Sequence, residues 1–157
     1  MASAKHADKH AESLSLAEAE AICAAKGERL TPRRRRVLEI ILTSAQPITA
    51  YEILDVLKPE DARASAVAVY RSLDFLMEAG LVHRIETTRA FIGCAHPGHK
   101  HGGQFLICRR CGTVVETEDT NVTHAAEALG QKMGFSLESP IVEVTGVCGD
   151  CGTQNAH

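Results

Sequence analysis

Two Cys-x-x-Cys segments, Cys108-Arg109-Arg110-Cys111 and Cys148-Gly149-Asp150-Cys151, constrain this chain more than any other feature. Two residues between thiols let a tight turn aim both sulfurs at one point, and two such turns can fill every position around a tetrahedral zinc ion. A metal with no open position does no chemistry, so the pair predicts a structural staple. The competing readings are a redox dithiol or a disulfide. Redox motifs normally come singly beside a βαβ pattern, which this chain lacks. The opening segment, Met1 to His10, has no apolar h-region and is not expected to be a secretory signal. No apolar run approaches the length of a membrane span. A cytoplasmic, reducing location is therefore expected, and it favours metal over disulfide.

The chain has 157 residues, enough for one domain or two small ones. Two domains of roughly 50–90 residues have thin cores, for which a metal staple compensates. Net charge is -3. Residues 1–84 carry 12 Lys/Arg against 12 Asp/Glu, and residues 85–157 carry 5 against 8. Within the first half, Arg29 and Arg33 to Arg36 form a basic cluster with no acid between them. Such a cluster reads either as a phosphate footprint or as a solvated helix start.

The pattern predicts helices first and strands later. Helix 1 is expected near Leu14–Lys26, stopped by Gly27 as the C′ residue. Helix 2 starts at Thr31-Pro32, an N-cap followed by proline at the first helical position. Its core face is Val37, Ile40, Ile41 and Ala45, and Pro47 ends it. Helix 3 opens on Thr49-Ala-Tyr-Glu52, a capping box flanked by the staple pair Ile48 and Ile53, and ends before Pro59. Helix 4 is expected over Ala64–Ala79, before Gly80. Residues 81–94 read as two short strands around a turn at Thr87–Arg89. Pro97, Gly98, Gly102 and Gly103 mark a crossover. Gln104–Ile107 and Thr113–Glu116 flank the first Cys-x-x-Cys as strands. A helix near Thr123–Met133 and a strand Ile141–Thr145 complete the chain.

The expected fold class is α+β. An N-terminal winged helix-turn-helix (residues 1–92) is joined by a hinge or crossover (93–104) to a small C-terminal α/β dimerisation domain (105–157) stapled by the four-cysteine zinc site. On a helical wheel, Ala66, Val69, Leu73, Leu76 and Met77 of helix 4 share the inward face. Ala64, Val67, Ala68 and Arg71 lie opposite, with Tyr70 at the border and Ser65 at the same exposed end. Small side chains let a helix sink into the major groove, and an arginine there can bond guanine O6 and N7. Arg34 in the basic cluster and Arg89 at the wing turn suit phosphate contacts. The bland alternative is an ordinary amphipathic helix with Val67 exposed by chance.

A second constellation is subtler. His83 begins the wing, Cys94 follows eleven residues later, His101 lies in the crossover and Glu116 follows the first Cys-x-x-Cys. Each is unremarkable alone. Together they place one ligand at every junction between the two halves. Cys, His, His and Glu suit zinc, and one thiolate plus one carboxylate cancel its charge.

Leu30-Thr-Pro-Arg33, Ala68-Val-Tyr-Arg-Ser-Leu-Asp-Phe-Leu76, Gly80-Leu-Val-His-Arg-Ile85, Phe105-Leu-Ile-Cys-Arg-Arg-Cys-Gly112, Lys132-Met-Gly-Phe135 and Cys148-Gly-Asp-Cys151 together resemble the ferric-uptake-regulator (Fur) family, in its zinc-uptake-regulator branch. The resemblance spans residues 30–151. It implies a cytoplasmic homodimeric repressor that binds operator DNA when metal-loaded. It implies structural zinc on Cys108, Cys111, Cys148 and Cys151, sensing zinc on His83, Cys94, His101 and Glu116, and base contacts from Tyr70 and Arg71. Two zinc ions per monomer follow, with no membrane and no small-molecule substrate. Iron-sensing members carry a His-x-His run before the first Cys-x-x-Cys, and here the stretch is Gly102-Gly-Gln-Phe105. His96 and His99 exceed what the sensing motif requires. They read as a third, weaker metal site with His124, or as solvated loop residues.

Three rivals remain: a regulator of the same family answering to iron, manganese or peroxide, a small zinc hydrolase or thiol oxidoreductase, and a zinc-stapled protein-interaction module. Cys94 weighs against the first, whose sites prefer His and carboxylate ligands. The lack of a His-Glu-x-x-His, a nucleophile motif or a Gly-rich phosphate loop weighs against the second. Sequence-specific DNA binding would exclude the third.

Overall fold

The computed structural model describes residues 14–98 and 102–153. Along them run α1 (Leu16–Ala25), α2 (Pro32–Thr43), β1 (Ile48–Thr49), α3 (Ala50–Leu57), α4 (Ala66–Glu78), β2 (Val82–Ile85) and β3 (Ala90–Gly93). The second half follows with β4 (Gly103–Cys108), β5 (Val114–Thr117), α5 (Thr120–Lys132), β6 (Ile141–Gly146) and α6 (Gly149–Thr153). The architecture is the expected α+β fold. Helices α1 to α4 and a three-stranded sheet of order β1-β3-β2 precede a second sheet of order β5-β4-β6.

Local chemistry sets the helix ends. Thr31 and Thr49 cap α2 and α3 as expected, and Thr49 and Glu52 close a reciprocal capping box. Ser15 and Glu18 form a second box, so α1 starts at Leu16 rather than Leu14. Leu14 instead lies buried just outside that cap. Ser65 accepts the Ala68 N–H at 3.2 Å, so α4 starts at Ala66, and Ala64 and Ser65 precede the helix. Asp119 caps α5, which therefore opens at Thr120, three residues earlier than the pattern predicts. Helix α2 stops at Thr43, which leaves Ala45 exposed and outside the core.

The N-terminal core gathers Leu38, Ile53, Val69, Leu73 and Leu76, with Val37, Ile40 and Ile41 from the predicted face of α2. On α4 the wheel holds: Val69, Leu73 and Leu76 are buried while Ala66 and Met77 pack at the edge. The wing strands β2 and β3 pair antiparallel around a turn whose last residue, Arg89, has φ 54°. Sequence patterning misses β1, two residues that pair with Ala90 and Phe91 and add a third strand.

In the second sheet, β4 pairs antiparallel with β5 and parallel with β6. Helix α5 is the crossover that parallel pairing requires. A smaller core of Ile85, Phe105, Ile107 and Val114, with Ile92 against it, joins the wing to this sheet. The two halves therefore share an apolar contact as well as a chain connection.

Leu73 is fully buried and Val67 is 61 % exposed on the same helix. Leu73→Ala should lower unfolding free energy by about 2–5 kcal/mol. Val67→Ala should stay within about 0.5 kcal/mol of the parent. Urea unfolding followed by circular dichroism compares the two.

Candidate metal centres and nucleic-acid interface

The four-cysteine cluster forms at one end of the β4-β6 pair. The register sets Cys108 beside Gly146, so the second Cys-x-x-Cys begins two residues past that point. Arg109 N–H donates to Gly146 O at 2.9 Å and ties the two turns together. In the first turn Gly112, at φ 76°, donates to Cys108 O at 2.9 Å. In the second, Gly152 donates to Cys148 O at 2.9 Å as the short α6 begins. Arg110 reaches across to Cys151 O. The four sulfurs lie within 4.8 Å of one another, and Cys111 Sγ and Cys148 Sγ are 3.7 Å apart. A tetrahedron with metal–sulfur bonds of about 2.3 Å has edges of about 3.8 Å. The residues present fit a tetrathiolate zinc site.

The thiols are graded in acidity. N–H groups of Cys111 and Cys148 aimed at Cys108 Sγ hold that thiol down to about 6. Cys151, donating to Cys148 among its crowded neighbours, is pushed up to about 12. The first proton leaves easily and the last resists, as expected of four like groups competing for one net charge.

The second cluster lies where the wing meets the second sheet. His83 Nε2 is 3.1 Å from Glu116 Oε1. Ala95 N–H donates to Glu116 Oε2 at 2.8 Å. Cys94 is buried, its N–H held by Leu81 O at 2.9 Å. Ligand atoms of His83, Cys94 and Glu116 all fall within 4.8 Å of one another. Three candidate ligands forming an S/N/O set thus converge from β2, the residue after β3, and β5. His101, the fourth residue of the predicted set, lies outside the described residues. Burial, together with the Glu116 charge, pushes the Cys94 thiol up to about 12. Burial also opposes ionisation of Glu116. The hydrogen bonds from His83 and Ala95 outweigh it and hold the carboxyl below its usual range.

Sequence reasoning missed how this cluster is supported. Phe105 meets the His83 ring edge-on, with centroids 5.2 Å apart. Its ring covers Gly103, where a Cβ would stand 2.3 Å from a ring carbon. Phe105 is the register partner of Glu116 on one side and of Glu143 on the other, so the three side chains form one row across β5, β4 and β6. At the far end of that row Glu143 accepts the Glu86 N–H at 2.6 Å, the Thr87 N–H at 2.9 Å and the Thr87 hydroxyl at 2.5 Å. Backbone donors leave no trace in a sequence motif. The one available signal is that Glu143 interrupts an otherwise apolar-rich strand.

His96 Nε2 stands 3.8 Å from Glu118 Oε2 in an exposed pair. His124 is exposed on α5. Among the described residues neither joins a group of three close ligand atoms, and His99 lies outside them.

Helix α4 presents Val67, Tyr70 and Arg71 to solvent, with Ser65 exposed at its N-cap and Ala68 half-buried. Arg89 is exposed at the wing turn. The α2 arginines differ from their sequence impression. Arg33 pairs with Asp61 at 2.6 Å, Arg35 with Glu20 at 2.8 Å, and Arg36 with Glu60 at 2.7 Å and Glu39 at 2.9 Å. Apart from Glu39 of α2 itself, these acids arrive from α1 and the segment after α3. Arg34 carries no such partner among the described residues. Its guanidinium stacks 3.6 Å over the Phe75 ring and donates to Arg29 O at 2.9 Å. A cleft of about 220 Å³ between α2 and α4 is lined by Thr31, Arg34, Ala68 and Arg71.

The described residues thus combine a winged helix, a four-thiol cluster, and a His/Cys/Glu cluster between wing and second sheet. The chain belongs to the ferric uptake regulator family, which it matches over residues 25–145. It is 39 % identical to the zinc uptake regulation protein of Escherichia coli K12 over 137 residues, 87 % of this chain and 80 % of that protein. Its structure is similar to a zinc uptake regulator complexed with zinc and DNA, with a TM-score of 0.82 at 39 % identity over 90 % of this chain and 95 % of the other. XcZur is 40 % identical in two forms. The holo form gives a TM-score of 0.80 over 88 % of this chain and 96 % of the other. The apo form gives 0.50 over 87 % and 95 %.

Metal entering the second cluster at neutral pH must expel the Cys94 proton, because the buried thiol stays protonated up to about 12. Above pH 7, zinc affinity at this cluster should therefore rise about tenfold per pH unit, with about one proton released per ion. Calorimetry in buffers of differing ionisation heat, with the four-cysteine site already filled, measures that proton. Release of none would contradict the assignment of Cys94 as a ligand.

Proposed function

We propose that this chain is a zinc-responsive transcriptional repressor that binds operator DNA as a homodimer and controls zinc-uptake genes. Cys108, Cys111, Cys148 and Cys151 hold a structural ion. His83, Cys94, His101 and Glu116 hold the sensed one, giving two ions per monomer. The observation that carries this reading is the convergence of His83, Cys94 and Glu116 from opposite sides of one junction. The likeness to holo XcZur over apo XcZur, and to a zinc- and DNA-bound zinc uptake regulator, supports it.

Bound zinc supplies a divalent charge that offsets one thiolate and one carboxylate, and short bonds that hold the wing to the second sheet. The protein's own residues do the rest. His83 and Cys94 belong to the wing sheet and Glu116 to the second sheet, so filling the site fixes one against the other. Phe105 keeps the His83 ring oriented and excludes water beside it. Fixed heads match two half-sites on one face of DNA, whereas mobile heads incur an ordering cost on binding. Turning a mostly open population into a mostly closed one takes a differential affinity of about 5.5 kcal/mol. Operator DNA must tighten zinc by the same factor.

The second sheet supports the dimer. Its face away from the wing is an apolar row of Val115, Leu106 and Val144, register partners exposed by 40, 49 and 52 %. Leu129, Met133 and Phe135 add more than 60 % exposure each at the end of α5 and just beyond it. Apolar exposure of this extent calls for a partner, and a two-fold axis lets one surface cover its copy. No described helix is long and apolar enough to cross a membrane. On the DNA side, Arg71 and Tyr70 read bases, with Ala68 and Ser65 beside them, and Arg34 and Arg89 meet phosphates.

Cys94→Ser should leave one tightly held zinc per monomer and an intact dimer, while zinc-dependent operator binding is lost. Metal analysis and a zinc titration with an operator-binding readout test this together. Wild-type repression by the variant would move the sensing site elsewhere, with His96, His99 and His124 the next candidates.

Arg71→Ala should weaken operator binding by about 1–3 kcal/mol and relax preference at one base position. Unchanged affinity in footprinting would mean that α4 is not the reader.

A further inference from the structure

Strand β2 crosses the second sheet, and alternate residues along it meet successive strands. His83 sits on Glu116 of β5, Ile85 packs with Phe105 of β4, and Thr87, in the turn beyond, is held by Glu143 of β6. The sheet side of this contact is a single register row: Glu116, Phe105 and Glu143. Carboxylates stand at both ends with an aromatic ring between them. Only one of the two carboxylates, Glu116, belongs to the ligand cluster.

We propose that Glu143 is a positioning residue for the metal switch, a metal-independent latch that fixes the far end of the wing strand. This rests on the zinc-responsive reading above. A single tether at His83 leaves β2 able to pivot about that point. A second tether up to about 13 Å further along the strand sets its direction. Glu143 suits this task because an ionised carboxylate accepts several hydrogen bonds at once. It takes two backbone N–H groups and a hydroxyl from the wing turn. These donors belong to the wing and the acceptor to the second sheet, so the bonds exist only in the closed arrangement. Zinc and the latch therefore stabilise the same state from opposite ends of one strand. By linkage, each strengthens the other without touching it. The neutral amide of glutamine would aim donor hydrogens at donor N–H groups and break this arrangement.

The test uses full-length dimer with its four-cysteine site filled, in wild-type, Glu143→Gln and Thr87→Val forms. Thr87 is exposed in a turn, so its substitution leaves the core untouched. Chelator competition should show zinc affinity at the second cluster falling about tenfold in Glu143→Gln, equivalent to about 1.4 kcal/mol. Thr87→Val, which keeps the two N–H donors, should show a smaller fall in the same direction. Operator affinity at saturating zinc should drop in parallel, while affinity for non-operator DNA stays unchanged. A residue that served only the stability of β6 would lower thermal stability and leave zinc affinity alone. Unchanged zinc affinity in both variants overturns the latch. If the wild-type protein itself shows no zinc-dependent operator binding, the zinc-responsive reading fails instead.

Discussion

The parallel pairing of β6 with β4 is the constraint on which the four-cysteine cluster and the row beneath the wing depend. Parallel strands bring their ends to the same edge, so the two Cys-x-x-Cys turns leave the sheet side by side. Antiparallel pairing would send those turns to opposite ends, roughly 20 Å apart for six-residue strands. The same pairing places Glu143 beside Phe105, and thus opposite Glu116 in one row. Parallel strands need a long crossover, which α5 provides. Gln104 fixes the start of α5 by accepting the Asp119 N–H at 2.9 Å and donating to Asp119 O at 2.8 Å. A short run of ladder bonds, itself weak, therefore governs where the four cysteine side chains meet.

The ligand atoms of the two clusters belong to different energetic regimes. The four-thiol turns are partly exposed, and their grouping follows from local turn geometry and strand register. The cluster of His83, Cys94 and Glu116 is assembled from segments far apart in sequence. Its formation requires the wing to lie on the second sheet, burying Ile85 and Phe105. That burial is a small apolar contact, comparable with a few side chains rather than a domain core. On the proposed zinc-responsive reading, a contact of this size lets a bound ion tip the balance between open and closed arrangements.

Much of this was legible beforehand because it is written locally. Cap residues, helix faces and thiol spacing act over a few positions, so Thr31, Thr49, the buried stripe of α4 and the four cysteines could be read in order. Helix ends went wrong where a cap lay one or two residues from the start of the apolar pattern, as at Ser15 and Ser65. The candidate cluster at His83, Cys94 and Glu116 could be named from one metal-binding residue type at each junction, and the resemblance singled out the same set, but nothing in the spacing of three separated side chains demands that they meet. The β1 strand, the direction of β6 and the role of Glu143 were out of reach. Each depends on backbone groups of a distant segment, and every residue's backbone offers the same donors and acceptors. The basic run of α2 was misleading in the opposite sense: apart from Glu39, its neutralising acids lie 15 to 28 positions away.

Those internal ion pairs bear on how such a regulator finds its target. Three of the four consecutive arginines are paired with carboxylates of their own chain, so the surface beside α4 carries less positive charge than the sequence suggests. Affinity for random duplex comes almost entirely from releasing counterions condensed on phosphates, and each unpaired cation adds to it. On the proposed repressor reading, these pairings shorten the time spent on random duplex, leave more copies to equilibrate with the metal pool, and let operator occupancy follow metal supply more than the mass of competing DNA.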